Sequence, residues 1–159
     1  MFSIRNIIHG QHELTMAGTR KTSSVRGFTL IEVLVTMVIV GILSAVAYPS
    51  YVQYIVKAKR SAAESFILDV ASKQEQYNLD ARQYATSMTI LGVSNIPAEV
   101  SGNYTVTLAA DNSAAPPTYT VTATPTANQL SQDAKCATLS INQFGTKGIT
   151  GSGTVATCW

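Results

Sequence analysis

The chain has 159 residues, room for one domain plus an appendage. Its formal charge of +2 conceals an asymmetry: residues 1–27 hold four Lys/Arg against Glu13, and residues 28–159 hold seven Lys/Arg against eight Asp/Glu. A body this close to neutral does not look like a general nucleic-acid binder, whose footprint is a basic patch or stripe, and both histidines, His9 and His12, precede Gly27, which argues against zinc or histidine-dependent catalysis beyond that point.

Residues 1–27 read as a processing segment, to be left out of fold reasoning. Met16 opens a tighter basic leader carrying Arg20, Lys21 and Arg26, so Met1 and Met16 compete as the start. From Phe28 to Tyr48 the chain is apolar apart from two Thr, one Ser, Gly41 and one carboxylate, Glu32. A bilayer core about 30 Å thick needs roughly 20 helical residues, and a single run in lipid can satisfy its backbone only as a helix. Glu32 is then the anomaly, because an ionisable group in such a run is costly and by default functional.

Three readings of this run compete. Ala45-Val46-Ala47 fits a secretory cleavage site that would release a binding domain beginning at Tyr48, but the run exceeds the usual apolar region of such signals. A plain anchor explains the length and leaves Glu32 without a purpose. The third reading rests on Gly27-Phe28-Thr29-Leu30-Ile31-Glu32, a basic leader ending in Gly, then Phe, then Glu four residues on, then an apolar helix with Pro49 at its end. That segment resembles the processing site of type IV pilins, and it is the reading we take.

The resemblance implies that a prepilin peptidase cuts between Gly27 and Phe28 and methylates the new amine of Phe28. It implies that Glu32 meets the N-terminal amine of a neighbouring subunit in a helical bundle. It also implies other pilin subunits and an inner-membrane assembly platform as partners, and no cofactor or metal. The chain would cross the inner membrane once with its head in the periplasm, and become part of an extracellular pilus after assembly. The basic leader favours a cytoplasmic N-terminus. Pro49 predicts a bend near residues 45–49. Gly41 reads equally as the ordinary tolerance of spanning helices for glycine or, by resemblance, as part of a softened segment reaching to Pro49. Tyr48, Tyr51 and Tyr54 read as interfacial anchors.

Residues 49–84 continue as an amphipathic helix: Val52, Ile55, Val56, Ala62, Ala63, Phe66, Ile67, Val70, Ala71, Gln74 and Tyr77 recur at three- and four-residue steps. Lys57, Arg60, Glu64, Asp69 and Lys73 read as a solvated face with weak pairs. Together with residues 28–48 this predicts one helix about 75–80 Å long, fading near residues 80–84.

Residues 85–159 form the head. Asn103-Tyr-Thr-Val-Thr-Leu108 and Thr118-Tyr-Thr-Val-Thr-Ala123 alternate around a turn at residues 111–117, which predicts an antiparallel hairpin. A third strand is expected over residues 136–141, a turn over 142–148, and a short fourth or irregular segment over 154–158. The predicted fold is α+β: a long N-terminal helix whose second half covers the apolar face of an antiparallel sheet. Cys136 and Cys158, beyond an export signal, read as one disulfide, with two unpaired thiols as the alternative.

Lys135-Cys136-Ala-Thr-Leu-Ser-Ile-Asn-Gln-Phe-Gly-Thr-Lys147 with Cys158-Trp159, and Lys73-Gln-Glu-Gln-Tyr77, are similar to PilE-type minor pilins. The roles this implies are assembly priming, twitching motility, attachment and, in some members, DNA uptake. A pseudopilin of a type II secretion system shares the N-terminal pattern and is the near alternative. No catalytic constellation emerges: Gly151-Ser152-Gly153 lacks the context of a nucleophile turn, and Asp111 and Asp133 are too few for a calcium cage.

Overall fold

A computed structural model describes residues 27–159. The leader sequence before Gly27, with Met1, Met16 and both histidines, lies outside the described residues. The chain divides into two compact units at Ile39/Val40.

The first unit contributes residues 27–39, the start of helix α1, which runs Leu30–Ala81. Its side chains stand in the open, with Phe28 85 % exposed. Helix α1 is the one described helix long and apolar enough to cross a membrane, and among the described residues none covers its most apolar stretch.

In the second unit α1 continues unbroken through Pro49. Proline removes one backbone donor there, and just beyond it the Ser50 hydroxyl donates to the Val46 carbonyl at 3.2 Å. This back-bonding gives a carbonyl on the proline side of the turn a second donor. The helix stops at Arg82, which takes φ 54° and donates its N–H to the Asn78 carbonyl, a left-handed cap on a residue other than glycine.

Three short helices follow α1 among the described residues, α2 at Ala98–Ser101, α3 at Ala127–Gln132 and α4 at Val155–Cys158. The sheet is an antiparallel meander in the order β1 (Tyr104–Asp111), β2 (Thr118–Pro125), β3 (Leu139–Asn142), β4 (Lys147–Ile149). The β1–β2 register pairs Tyr104 with Pro125 and Asp111 with Thr118. Tyr104 and Val106 on β1 and Tyr119, Val121 and Ala123 on β2 are buried, while alternate threonines face out. Ala63, Ile67, Val70 and Ala71 of α1 join these residues, with Leu139 and Ile141, in one core. A period-2 face and a 3.6-period stripe thus bury each other.

The sheet departs from its sequence-based outline at its later strands. The third strand starts at Leu139, because residues 133–137 form a turn in which Cys136 and Ala137 both donate to the Asp133 carbonyl and Ala137 takes φ 52°. Lys147–Ile149, expected as part of a turn, pairs with β3 as the fourth strand. Residues 154–158 are helical rather than extended: α4 spans Val155–Cys158 and opens with a reciprocal Thr154–Thr157 cap.

The long connection after α1 is held by two amides. Buried Gln74 donates to the Ala85 carbonyl at 2.8 Å and accepts from the Ala85 N–H at 2.9 Å. Asn112, after β1, treats Tyr84 the same way, at 2.9 Å each way. Each amide stands in for a strand partner. Between them Tyr84 packs edge-to-face on Tyr119, with ring centroids 4.7 Å apart. Gln74→Leu keeps the apolar stripe and orphans both backbone groups of Ala85. We expect a loss of about 2 kcal/mol in chemical denaturation, with faster amide exchange confined to residues 82–97.

Candidate functional site: the helix start and the disulfide end of the head

Two places gather the residues singled out in the sequence. The first is the start of α1. Thr29 precedes the helix and Glu32 is its third residue. Glu32 donates its N–H to the Thr29 hydroxyl at 3.3 Å, and the Glu32 carboxylate accepts from the Thr29 N–H and hydroxyl, each at 3.2 Å. This is a capping box, in which the N–H of each residue donates to the side chain of the other. In the single chain, therefore, Glu32 has a local partner. A carboxylate in the first turn also suits the helix dipole.

Gly27 sits just outside this box, and a Cβ built there meets nothing within 4 Å. Among the described residues nothing meets a Cβ at position 27 or at Gly41. Any need for glycine at position 27 would come from a molecule that handles the segment.

The second place is the lower end of the head, where the tail returns to α1. Cys136 and Cys158 are bonded, with Cα atoms 5.5 Å apart and both residues buried. Arg60 reaches this bridge from α1. One of its terminal nitrogens donates to both Asp133 carboxylate oxygens, at 2.8 and 2.9 Å, and lies 3.0 Å from the Cys136 sulfur. Its Nε lies 3.3 Å from Glu64. The Arg60 and Asp133 side chains are 11 % and 9 % exposed. This corrects the solvated-face reading: Arg60 and Glu64 are half-buried clamps, and only Lys73–Asp69, at 3.5 Å, is a surface pair. Burial pushes the Glu64 carboxyl up despite the opposing pull of Arg60.

Gly151 and Gly153 explain how the tail comes so close. They donate to the Cys136 and Lys135 carbonyls, and a Cβ on Gly151 would fall inside contact distance of the Lys135 carbonyl. The Gly-Ser-Gly stretch is a packing device beneath the disulfide. Trp159 closes the end, donating from its indole to the Gly148 carbonyl at 3.3 Å, with the Lys147 ammonium 4.7 Å from its ring centroid. Above this region Gln129 bridges the Val56 carbonyl and the Tyr104 hydroxyl, each at 3.2 Å. Burial drives the Tyr104 phenol up to about 12. Among the described residues no group of three or more His, Cys, Asp or Glu could hold a metal ion.

The sequence missed the capping box, the Arg60–Asp133 clamp and the Gln74 clamp. The first was visible as Thr-x-x-Glu ahead of an apolar run. The other two join residues that only the fold brings together.

A continuous α1 argues against release of a domain at Tyr48, since that cut would fall inside the helix. Residues 22–48 match the model of the prokaryotic N-terminal methylation motif. Type IV major pilin protein PilE1 of Neisseria gonorrhoeae is 34 % identical over 55 % of this chain and 48 % of its own length. Type II secretion system core protein G of Pectobacterium carotovorum is 35 % identical over 49 % of this chain and 47 % of its own. The chain thus spans about half the length of these relatives. A solved type IV pilin from Shewanella oneidensis superposes with a TM-score of 0.48 at 20 % identity, covering 65 % of this chain and 97 % of that one. The N-terminal pattern is common to pilins and pseudopilins; the body of the chain separates them. Residues 49–140, more than half of the chain, match the family model described as type IV minor pilin ComP, DNA uptake sequence receptor, and it is to this family that the chain belongs.

Proposed function

We propose that the chain is a minor subunit of a type IV pilus. Its leader is cut between Gly27 and Phe28 by a prepilin peptidase, the Phe28 amine is methylated, and α1 holds the subunit in the inner membrane until it joins other pilins through the assembly platform. The observation that carries this reading is the helix start. A methylation motif over residues 22–48 coincides with an apolar helix that no described residue covers. Such a surface is stable in lipid or against other helices, not in water.

Glu32 links processing to assembly. Before docking, its carboxylate is satisfied by Thr29. Inside an apolar bundle a carboxylate needs a charged partner, and cleavage creates one, the amine of a neighbour's Phe28. The head has no role for a catalyst in this reading; it is a structural and recognition module.

The family's description adds reception of a DNA uptake sequence. For this chain we take that as binding of a particular duplex. From Phe28 onward, acidic residues outnumber basic ones by one, so sequence-blind attraction to phosphates would be weak.

The test is Gly27→Phe in a piliated host. A Cβ at position 27 meets no described atom within 4 Å, and we expect a folded head with full-length protein retained in the inner membrane. Mature-sized protein at the parent's level would overturn the processing assignment.

A further inference from the structure

A cleft of about 230 Å³ opens between α1 and the returning tail, lined by Lys57 and Arg60 on the helix and by Asp133 and Lys135 on the tail. A neighbouring hollow of about 410 Å³ shares Gln53, Asp133 and Lys135 with it. The two hollows adjoin at these shared residues, and three cations and one carboxylate line this groove. Arg60 already spans Asp133 with two hydrogen bonds. Lys57 and Lys135 are exposed, and among the described residues neither belongs to an ion pair. The groove therefore presents two uncommitted ammonium groups with the Gln53 amide beside them.

Its position along α1 says what would meet them. The apolar run ends at Tyr48, and Tyr48, Tyr51 and Tyr54 are 73 %, 65 % and 69 % exposed. Amphipathic rings in this arrangement mark the boundary between hydrocarbon and headgroups. Lys57 lies six residues past Tyr51, about 9 Å along the axis, and lysine side chains reach back toward a bilayer surface. Gln53 and Lys57 are one turn apart on one face, and Lys135 closes the same groove from the tail.

We propose that this groove binds the phosphates of anionic phospholipids in the periplasmic leaflet of the inner membrane. The head would then be seated on the bilayer while the subunit waits to be assembled. The proposal rests on the reading of residues 28–48 as membrane-spanning. Duplex DNA is the competing polyanion. Before assembly it is disfavoured, because the groove lies within two helical turns of the aromatic belt, where a membrane-held head leaves little room for a duplex.

The test places the full chain in nanodiscs of phosphatidylcholine alone or with added phosphatidylglycerol. The acetylation rate of each lysine is followed by mass spectrometry. We expect Lys57 and Lys135 to react roughly fivefold more slowly in the anionic discs. Lys73, paired with Asp69, and Lys147, over Trp159, should be unchanged. Salt at about 1 M should abolish the difference. Lys135→Gln should weaken the protection of Lys57, as a shared site requires. Equal rates in the two discs, or uniform slowing of all five lysines from Lys57 to Lys147, would overturn the proposal. So would equal protection by millimolar inorganic phosphate in neutral discs, which would make it a site for any phosphate. Protection by duplex DNA but not by phosphatidylglycerol would assign the groove to nucleic acid and equally overturn it. A chain that fails to enter the discs would overturn the spanning reading itself, an outcome distinct from a chain that enters and shows equal rates.

Discussion

Glu32→Gln protein should be inserted and cleaved like the parent, yet enter filaments at well under a tenth of the parent's level. Glutamine serves at the third position of a capping box as glutamate does, so the bonds from Thr29 and the helix start survive. What is lost is the charge. Removing one member of a buried, hydrogen-bonded charge pair costs about 2–5 kcal/mol, and here the orphan would be the neighbour's Phe28 amine in an apolar bundle. Thr29→Val is the companion variant. It leaves the carboxylate and removes the Thr29 hydroxyl, at about 1 kcal/mol, and should reduce incorporation only mildly. Quantitative immunoblotting of sheared filaments against membrane pools reads both. Parent-level incorporation of Glu32→Gln would mean that the carboxylate serves only as a cap.

The second large effect is expected at the disulfide end. Cys136→Ser opens a loop whose ends are 22 residues apart, and should destabilise the head by about 2–5 kcal/mol while processing at Gly27 continues. Arg60→Ala leaves the Asp133 carboxylate, 9 % exposed, without its cation, and should cost about 3–5 kcal/mol. Arg60 also touches the Cys136 sulfur, so the two sites share partners. The double variant should therefore lose less than the sum of the singles, by about 1 kcal/mol or more. Urea denaturation of the detergent-solubilised chain, followed through Trp159, reads all three. Strict additivity would show that the clamp and the bridge stabilise the head independently.

What could be read from the sequence follows from how local each signal is. The β1–β2 hairpin was legible because one face is buried along its length, so Tyr104, Val106, Tyr119 and Val121 alternate with threonine. The second half of α1 was legible because Ala63, Ile67, Val70 and Ala71 keep one helical stripe. Strand β4 was not: Lys147-Gly148-Ile149 is too short and mixed to alternate, and it is a strand because β3 presents an open edge. Residues 154–158 read as a short fourth segment or an irregular one, yet Thr154 and Thr157 cap a helical turn.

The candidate sites divide in the same way. The Gly27–Glu32 signature is contiguous, so the motif over residues 22–48 was legible without the fold, whereas the local use of Glu32 as a cap was not read. Arg60 finds Asp133 across 73 positions, and no periodicity announces such a partner. On the helix alone Arg60 looks solvated, and it becomes a clamp only when the tail arrives. Gln74 keeps the spacing of the apolar stripe, but its bond to Ala85 depends on where the connection after α1 turns back.

The central claim is that the chain is processed at Gly27 and then built into a filament. Intact-mass and peptide mass spectrometry of filaments sheared from cells tests it most directly. The expected species begins at Phe28, carries one added methyl group on its α-amine, and retains the Cys136–Cys158 bond. A filament fraction that lacks this species, while the protein in the cell begins at Met1, Met16 or Tyr48, would contradict it.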